Sequence, residues 1–199
     1  MPNRLCLAAL LALPLAACAT STPPVEVTRF HVDSPARSGT IAVEELPGNP
    51  DVSLEFQNYA GVIAQEWQRA GFTPVARGDG RSDYVVLVAF RRSFRPGGVD
   101  RGGNPVSVGV GGGVGNRGFS GLGLGVGINL SGRPKDIITT ELQLQLRRRG
   151  EQSNIWEGRA IGEARQGTPA GQPIAAVQRL TAALLQGYPG ESGRTIRVK

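Results

Sequence analysis

The hydrophobic positions along the chain change their period several times, and each period predicts an element. Apolar and polar residues alternate over residues 25–32 and again over 140–147, which predicts strands with one face on a core. Residues 39–44 are rich in β-forming side chains and predict another strand. The continuous apolar run 84–90 predicts a central strand buried on both faces. Residues 155–164 return after a polar turn and predict the partner strand of a hairpin.

Two segments have the three- and four-residue spacing of amphipathic helices, about residues 55–70 and 173–186. Their apolar stripes are Phe56, Tyr59, Ile63 and Trp67 in the first, and Val177, Leu180, Leu184 and Tyr188 in the second. The tail 195–198 is a candidate edge strand. Two one-sided helices and a sheet with one polar face predict an α+β fold, in which a mostly antiparallel sheet carries both helices on one face.

The segment 105–131 is unusual because apolar residues alternate with glycine over 106–114 and 122–130. This period predicts a glycine-rich β-hairpin, and pairing Val110 with Val126 places all its apolar residues on one face. The favoured interpretation is that the hairpin extends the domain's own sheet. The second interpretation is that the hairpin is a ribbon that binds a partner or another copy of the chain. The third is a membrane-inserted hairpin of an oligomeric barrel, which the strand length of about nine residues permits.

The N-terminus has the pattern of an export signal. Residues 1–17 contain one basic residue, Arg4, and then a short apolar run, which fits a signal peptide and is too short to span a bilayer. The segment Leu15-Ala16-Ala17-Cys18 that closes the run resembles a bacterial lipobox. The resemblance implies cleavage before Cys18 and a diacylglyceryl group on it. Ala19 then implies the periplasmic face of the outer membrane. Residues 18–24 form a tether, and 25–199 form one domain.

The amino-acid composition excludes zinc fingers and disulfide scaffolds and bears on catalytic and metal sites. Two cysteines and one histidine among 199 residues exclude zinc fingers and disulfide scaffolds. No nucleophile–base pair is visible around the one histidine, His31, so we expect no catalytic residue, metal or cofactor. The net charge of +6 falls to +5 when Arg4 is removed. Despite the basic charge, we expect no nucleic-acid partner, because the chain has the pattern of an exported protein.

Arginine accounts for most of the positive charge, and two arginine groups are candidates for an anion-binding site. The groups are Arg91, Arg92 and Arg95, and Arg147, Arg148 and Arg149. If their strands are neighbours, the six side chains together suit a lipid phosphate or a glycan carboxylate. The alternative is that the second group is a solvated turn and that the arginine content reflects the genome's base composition.

Several segments in order resemble the bacterial lipoprotein family known as domain of unknown function 4136. They are the early strand 27–32, the helix end Trp67-Gln68-Arg69-Ala70-Gly71-Phe72, the strand start Asp83-Tyr84-Val85-Val86, the return Ile155-Trp156-Glu157-Gly158-Arg159-Ala160, and Tyr188-Pro189. The similarity covers about residues 25–190. It implies a cell-envelope lipoprotein without an established activity, and no site residue carries over.

The sequence therefore predicts a lipid-anchored, non-enzymatic module of the outer membrane that binds an envelope protein or assembles with itself. One alternative is an oligomeric pore or assembly subunit that uses the glycine-rich hairpin. A less favoured alternative is a hydrolase that acts on lipid or glycan with His31.

Overall fold

The computed structural model describes residues 23–46, 54–78, 80–97 and 135–199, together with the backbone of 106–111 and 123–128. The strands are β1 (Val25–His31), β2 (Gly39–Glu45), β3 (Phe72–Pro74), β4 (Tyr84–Arg95), β5 (Val106–Gly111), β6 (Gly123–Ile128), β7 (Ile137–Arg148), β8 (Asn154–Arg165) and β9 (Thr195–Val198). The helices are α1 (Leu54–Arg69) and α2 (Pro173–Leu185), and a 3-10 turn (Pro169–Gly171) precedes α2.

Seven strands form one mixed sheet in the order β3-β2-β4-β7-β8-β1-β9. Strand β2 runs parallel to both β3 and β4, and the other pairs are antiparallel. Both helices contribute to a single hydrophobic cluster with the same face of the sheet. The α+β prediction is confirmed, and so is the edge strand at residues 195–198.

The central strand differs from the prediction in length. Residues 85–88 are each less than 5% exposed, which confirms burial on both faces. The strand nevertheless continues to Arg95, five residues beyond the apolar run, since residues 91–95 pair with residues 137–141 of β7. Hydrogen bonding to a neighbour, and not burial, sets this end. The short strand β3 and the parallel pairs of β2 were not predicted.

An aromatic cluster occupies the core where α1 crosses the sheet. Trp67 lies with its ring centroid 5.6 Å from that of Trp156 and 5.3 Å from that of Tyr188, both in edge-on contacts. The Trp156 indole donates a hydrogen bond to the Pro189 carbonyl at 3.0 Å. Gly158 is required here, because a Cβ atom would lie 2.5 Å from the Trp156 ring. The aromatic stripe of α1 is thus core packing, as expected.

A buried arginine joins β1 to the end of α2. Arg29 is 4% exposed, and its Nε donates to the Leu184 carbonyl at 2.9 Å. Its Nη2 donates to the carbonyls of Ala183 at 2.8 Å and Gln186 at 3.1 Å. The carbonyls of Ala183 and Leu184 belong to the last helical turn, and that of Gln186 follows it directly. Carbonyls at a helix end have no partner within the helix and carry the negative end of its dipole. Burial lowers the pKa of the Arg29 guanidinium. The sequence analysis missed this role.

The described strands of the glycine-rich segment, β5 and β6, pair antiparallel in a two-stranded sheet of their own. The expectation that this segment extends the main sheet is therefore wrong for these residues. The predicted register is also wrong by two, since Val110 lies opposite Leu124 and not Val126. A pattern of period two keeps apolar residues opposite apolar residues after a shift of two, so it does not select one register.

We expect Arg29→Met to lower the free energy of unfolding by about 2 to 4 kcal/mol, because the buried carbonyls of Ala183 and Leu184 and the part-buried carbonyl of Gln186 lose a charged donor. Urea unfolding followed by tryptophan fluorescence measures the change. The matched control is Arg194→Met, whose side chain is 65% exposed and binds only Glu191, and whose effect should stay within about 0.5 kcal/mol. Equal effects of the two substitutions would contradict the helix-capping role.

Candidate functional site

The two predicted arginine groups lie on neighbouring strands but at opposite ends of them. Arg91 on β4 is opposite Glu141, whereas Arg148 on β7 is opposite Tyr84. The two positions are seven residue steps apart along β4, which is about 24 Å along a strand. The predicted single anion site of Arg91, Arg92, Arg95, Arg147, Arg148 and Arg149 is wrong, because antiparallel pairing places the end of β7 beside the start of β4.

At the β7 end, Arg149 is a structural residue. Its guanidinium donates to the Ser82 hydroxyl through Nε at 2.9 Å and through Nη2 at 2.7 Å. It also pairs with the Glu44 carboxylate at 2.9 Å. The backbone N–H of Arg149 donates to the carbonyl of Asp83 at 2.9 Å. These bonds tie the β7–β8 turn to β2 and to the start of β4. Arg147 is half-buried and Arg148 is exposed.

Next to this turn, Asp83 joins the same start of β4 to β2. Its carboxylate accepts hydrogen bonds from the Thr40 backbone N–H at 2.8 Å and from the Thr40 hydroxyl at 2.7 Å. These bonds favour the charged form and lower the pKa of the Asp83 carboxyl. Arg149 and Asp83 are therefore internally bonded at this end, whereas Arg81 and Arg148 are exposed.

At the other end, the β4 arginines make fewer internal bonds. Arg92 is half-buried and donates from Nη2 to the Gly171 carbonyl at 2.6 Å, while its guanidinium lies 5.7 Å from the centre of the Phe94 ring. Arg95 is 64% exposed and lies 3.4 Å from the Glu163 carboxylate. Arg91 is exposed. Long contacts between exposed charges contribute little to stability, so Arg91 and Arg95 remain available to a partner.

Two further cations and two apolar side chains share this end. Arg165 lies on β8 opposite Ile137, the residue that is also opposite Arg95, and Lys135 lies two residues before the start of β7. Both are exposed. Phe94 is 61% exposed and Ile174, in the first turn of α2, is 45% exposed. We call Arg91, Arg92, Arg95, Lys135 and Arg165 the basic end. Its carboxylates among the described residues are Asp136, Glu163 and Glu141, which is opposite Arg91 and binds Arg159 at 2.7 Å.

The sequence analysis missed Lys135 and Arg165. Their charge was visible in the sequence, but their position was not. It follows only from the pairing of β4, β7 and β8, which brings the start of β7 and the end of β8 beside Arg95. Antiparallel pairing of consecutive strands is the signal that could have located them.

Two segments of the chain leave the domain at the basic end. Residues 96–136 connect Arg95 to Ile137, which are opposite each other in the sheet. Strand β1 begins at the same end, since Glu26 is opposite Ile161, Ile161 is opposite Glu141, and Glu141 is opposite Arg91. The Pro23 carbonyl, just before β1, accepts a hydrogen bond from Arg179 at 3.2 Å. The start of β1 and the two residues that flank the segment 96–136, Arg95 and Ile137, therefore lie at the same end of the sheet.

A cavity of about 440 Å³ lies among the end of α1, the second half of α2 and the β1–β9 edge. Val25, Ala183 and Leu185 are the most buried apolar residues of its lining. The carboxylate of Glu66 is buried there and binds Arg69. The size and mixed lining are typical of a small-molecule site.

Arg179 also lines this cavity. Its Nη2 donates to the Glu163 carbonyl at 3.2 Å, and its buried Nε has no hydrogen-bond partner among the described residues. Burial lowers the pKa of the Arg179 guanidinium. A buried donor without an acceptor is energetically costly.

A second cavity, of about 360 Å³, includes His31 and Tyr188 in its lining. The Nδ1 of His31 lies 2.7 Å from the Val32 carbonyl oxygen, and Nε2 lies 3.1 Å from that of Gly190. The Tyr188 hydroxyl donates to the Ala36 carbonyl at 2.9 Å, and burial raises the pKa of this phenol. Each ring nitrogen thus lies beside a backbone carbonyl oxygen, and the hydroxyl donates to one.

The remaining expectations concern metals, membrane spans and lipidation. Within the described ranges, no group of three or more His, Cys, Asp or Glu side chains is placed to hold a metal ion. None of the helices in the described part of the chain is both long enough and apolar enough to cross a bilayer. Cys18 and the predicted signal peptide lie outside the described residues.

One relative establishes the family of this chain. An uncharacterized protein of Zymomonas mobilis, ZMO1243, is 33% identical to it, over 94% of this chain and 83% of that protein. The chain belongs to the family of that protein. No family model matches the chain.

Two solved structures are similar in backbone at low sequence identity. A PelC dodecamer from Paraburkholderia phytofirmans is 11% identical, with a TM-score of 0.40 over 81% of this chain and 94% of that one. A PDZ domain protein from Parabacteroides distasonis is 10% identical, with a TM-score of 0.46 over 88% of this chain and 39% of that one.

We expect Arg149→Met to lower the free energy of unfolding by about 1 to 2 kcal/mol, because the buried Ser82 hydroxyl and Glu44 lose their partner. The neighbouring substitution Arg148→Met is the control and should change stability by less than about 0.5 kcal/mol. Thermal and urea unfolding measure both. If Arg148→Met proves the more damaging, the assignment of Arg149 as the structural member of this group fails.

Proposed function

We propose that the protein is a lipid-anchored lipoprotein on the periplasmic face of the outer membrane and a non-enzymatic binding or assembly module of the cell envelope. The observation that carries the proposal is the short apolar run that ends in Leu15-Ala16-Ala17-Cys18, seven residues before the first strand at Val25. The resemblance to the domain-of-unknown-function 4136 family is part of this proposal. The family relative is uncharacterized and supplies no activity.

The start of the fold supports a short anchor. Seven residues of extended chain span at most about 25 Å, so a lipid on Cys18 holds Val25 within that distance of the bilayer surface. The bond from Arg179 to the Pro23 carbonyl fixes the last residues of the tether against α2. An anchor of this length keeps the domain beside the membrane rather than free in the periplasm.

The environment of His31 supports binding in preference to hydrolysis. A general base needs a ring nitrogen that can reach the proton of a nucleophile. In His31 both ring nitrogens contact backbone carbonyl oxygens, those of Val32 and Gly190. The 440 Å³ cavity is the better candidate for a ligand of a binding module, because its lining combines apolar residues such as Val25 and Leu185 with the arginines Arg69 and Arg179.

We expect Cys18→Ser to abolish lipidation and signal cleavage, because the thiol is the group that becomes acylated. Labelling with an alkyne palmitate and intact mass after envelope fractionation measure both steps. Cys6→Ser is the matched control, since this cysteine lies in the predicted signal peptide, and it should leave labelling and mature mass unchanged. A Cys18→Ser protein that is still cleaved and still bound to the membrane would contradict the lipoprotein proposal.

The second candidate function is self-assembly through the glycine-rich hairpin, including an oligomeric pore. The observation that favours it is that β5 and β6 form a separate sheet, in which Val106 is opposite Ile128 and Val108 is opposite Val126. A two-stranded ribbon with an apolar pattern gains stability when another surface covers it.

We expect the full lipidated protein, extracted from its own envelope in mild detergent, to be larger than one chain if this second candidate is correct. Light scattering of the purified particle measures its mass. The paired substitution Val108→Thr with Val126→Thr should reduce the particle toward a single chain, because it makes the ribbon polar. Val32→Thr, at a valine that is 47% exposed, is the control and should leave the mass unchanged. A wild-type particle of one chain excludes this function.

A further inference from the structure

We propose that the basic end is a docking surface for the headgroups of an anionic phospholipid bilayer. This proposal names the partner of one surface of the lipoprotein and rests on the proposed lipid anchor. Two independent features of the described residues carry it: the place where the tether joins the fold, and the chemistry of the side chains around that place.

The sheet places the tether at the basic end. Through three successive strand pairs, Glu26 on β1 lies in the same row as Arg91 on β4. Residues before Val25 therefore leave the domain near the level of Arg92 to Arg95. Because the anchor has a reach of at most about 25 Å, this end of the sheet faces the bilayer more closely than the other. The opposite end of the sheet is at Tyr84 and Arg148. Tyr84 lies eleven residue steps from Arg95 along β4, or about 37 Å.

The side chains at this end match a lipid headgroup layer. Five cations outnumber the three described carboxylates, Asp136, Glu141 and Glu163, and Glu141 is bound to Arg159. Arginine binds phosphate through two parallel N–H groups, which suits a phosphodiester. Cations held near an anionic bilayer are attracted to its surface potential within about a Debye length.

Exposed apolar residues accompany the cations. The Phe94 ring is 61% exposed and packs beside the Arg92 guanidinium, with 5.7 Å between them. Ile174 is 45% exposed and lies three residues after Gly171, whose carbonyl Arg92 binds. A basic surface that also presents an aromatic and a branched aliphatic side chain is typical of proteins that lie at a membrane interface.

The opposite end also presents exposed arginines, such as Arg148, and an exposed valine, Val32, but it lies away from the tether. Arg149 is bound to Ser82 and Glu44, and the Asp83 carboxylate is bound to Thr40. The exposed large apolar residues of the described sheet strands are Phe30 on β1 and Phe94 on β4. Of these two, only Phe94 adjoins exposed arginines on its own strand, at positions 91 and 95. The basic end is therefore the surface that suits an anionic bilayer.

The test uses the full lipidated protein, purified and first checked by intact mass for the lipid on Cys18. That lipid leaves no thiol on the mature chain, so one introduced cysteine carries a fluorescent label. Ile174→Cys labels the basic end, and Ser38→Cys labels the exposed turn before β2 at the other end. Each labelled protein is reconstituted into phosphatidylcholine vesicles with or without phosphatidylglycerol. The vesicles carry a fluorescence quencher on their lipid headgroups.

We expect the label at residue 174 to be quenched more than the label at residue 38, and more strongly with phosphatidylglycerol. The triple substitution Arg91→Gln, Arg95→Gln and Arg165→Gln should weaken docking about fivefold per arginine, or about 100-fold in all. Quenching should then fall to the level on phosphatidylcholine alone. The control triple Arg37→Gln, Arg148→Gln and Arg194→Gln makes the same change in net charge and should leave quenching unchanged.

Three results would overturn the docking surface. The first is equal quenching of the labels at residues 38 and 174, and the second is equal quenching on the two vesicle types. The third is that the label at residue 174 is shielded from solvent without vesicles and that this shielding disappears when the protein is diluted. The last result would assign the surface to a second copy of the chain. A protein whose mass shows no lipid on Cys18 fails at the first step and contradicts the proposed function instead. The two failures are thus distinguishable.

Discussion

The antiparallel pairing of β4 with β7 is the constraint on which the rest of the structure depends. It runs without interruption from Tyr84 opposite Arg148 to Arg95 opposite Ile137. This pairing aligns the centre of the sheet, so that the two helices can cover a continuous apolar face. It also separates the two arginine groups, and it gathers Arg95, Lys135 and Arg165 at one end. The distribution of charge over the molecule is therefore a consequence of backbone hydrogen bonding.

The core depends on a second contact, in which a charge is used where an apolar side chain would be expected. Arg29 occupies an inward position of β1 and satisfies three carbonyls at the end of α2. Its cost of burial is offset because the helix end presents a partial negative charge and unpaired acceptors. The contact sets the position of α2 on the sheet, and Leu184 then reaches Gly158 beside the Trp156 ring.

The local hydrophobic pattern predicted the helices and strands that bury one face. It did not predict features that depend on contacts between residues far apart in the sequence. The stripes of α1 and α2 were predictable because each helix buries one face. Arg29 was missed although positions 25, 27 and 29 share a face, because its partners are some 155 residues away. The hairpin register was not predictable, since a shift of two preserves the apolar pattern. The split of the arginine groups was predictable in principle, because a strand that turns back brings its start beside the previous strand's end.

The position of Arg95 opposite Ile137 has a consequence for how this fold can vary. Backbone atoms of opposed residues in an antiparallel pair are only about 5 Å apart, so residues 96–136 begin and end at nearly the same point. The entropy of closing that loop depends weakly on its length, and the seven-stranded sheet supplies both of its ends. The domain can therefore accept a longer, shorter or unrelated sequence at this place without a change to its core. Relatives can diverge there while they keep the same scaffold.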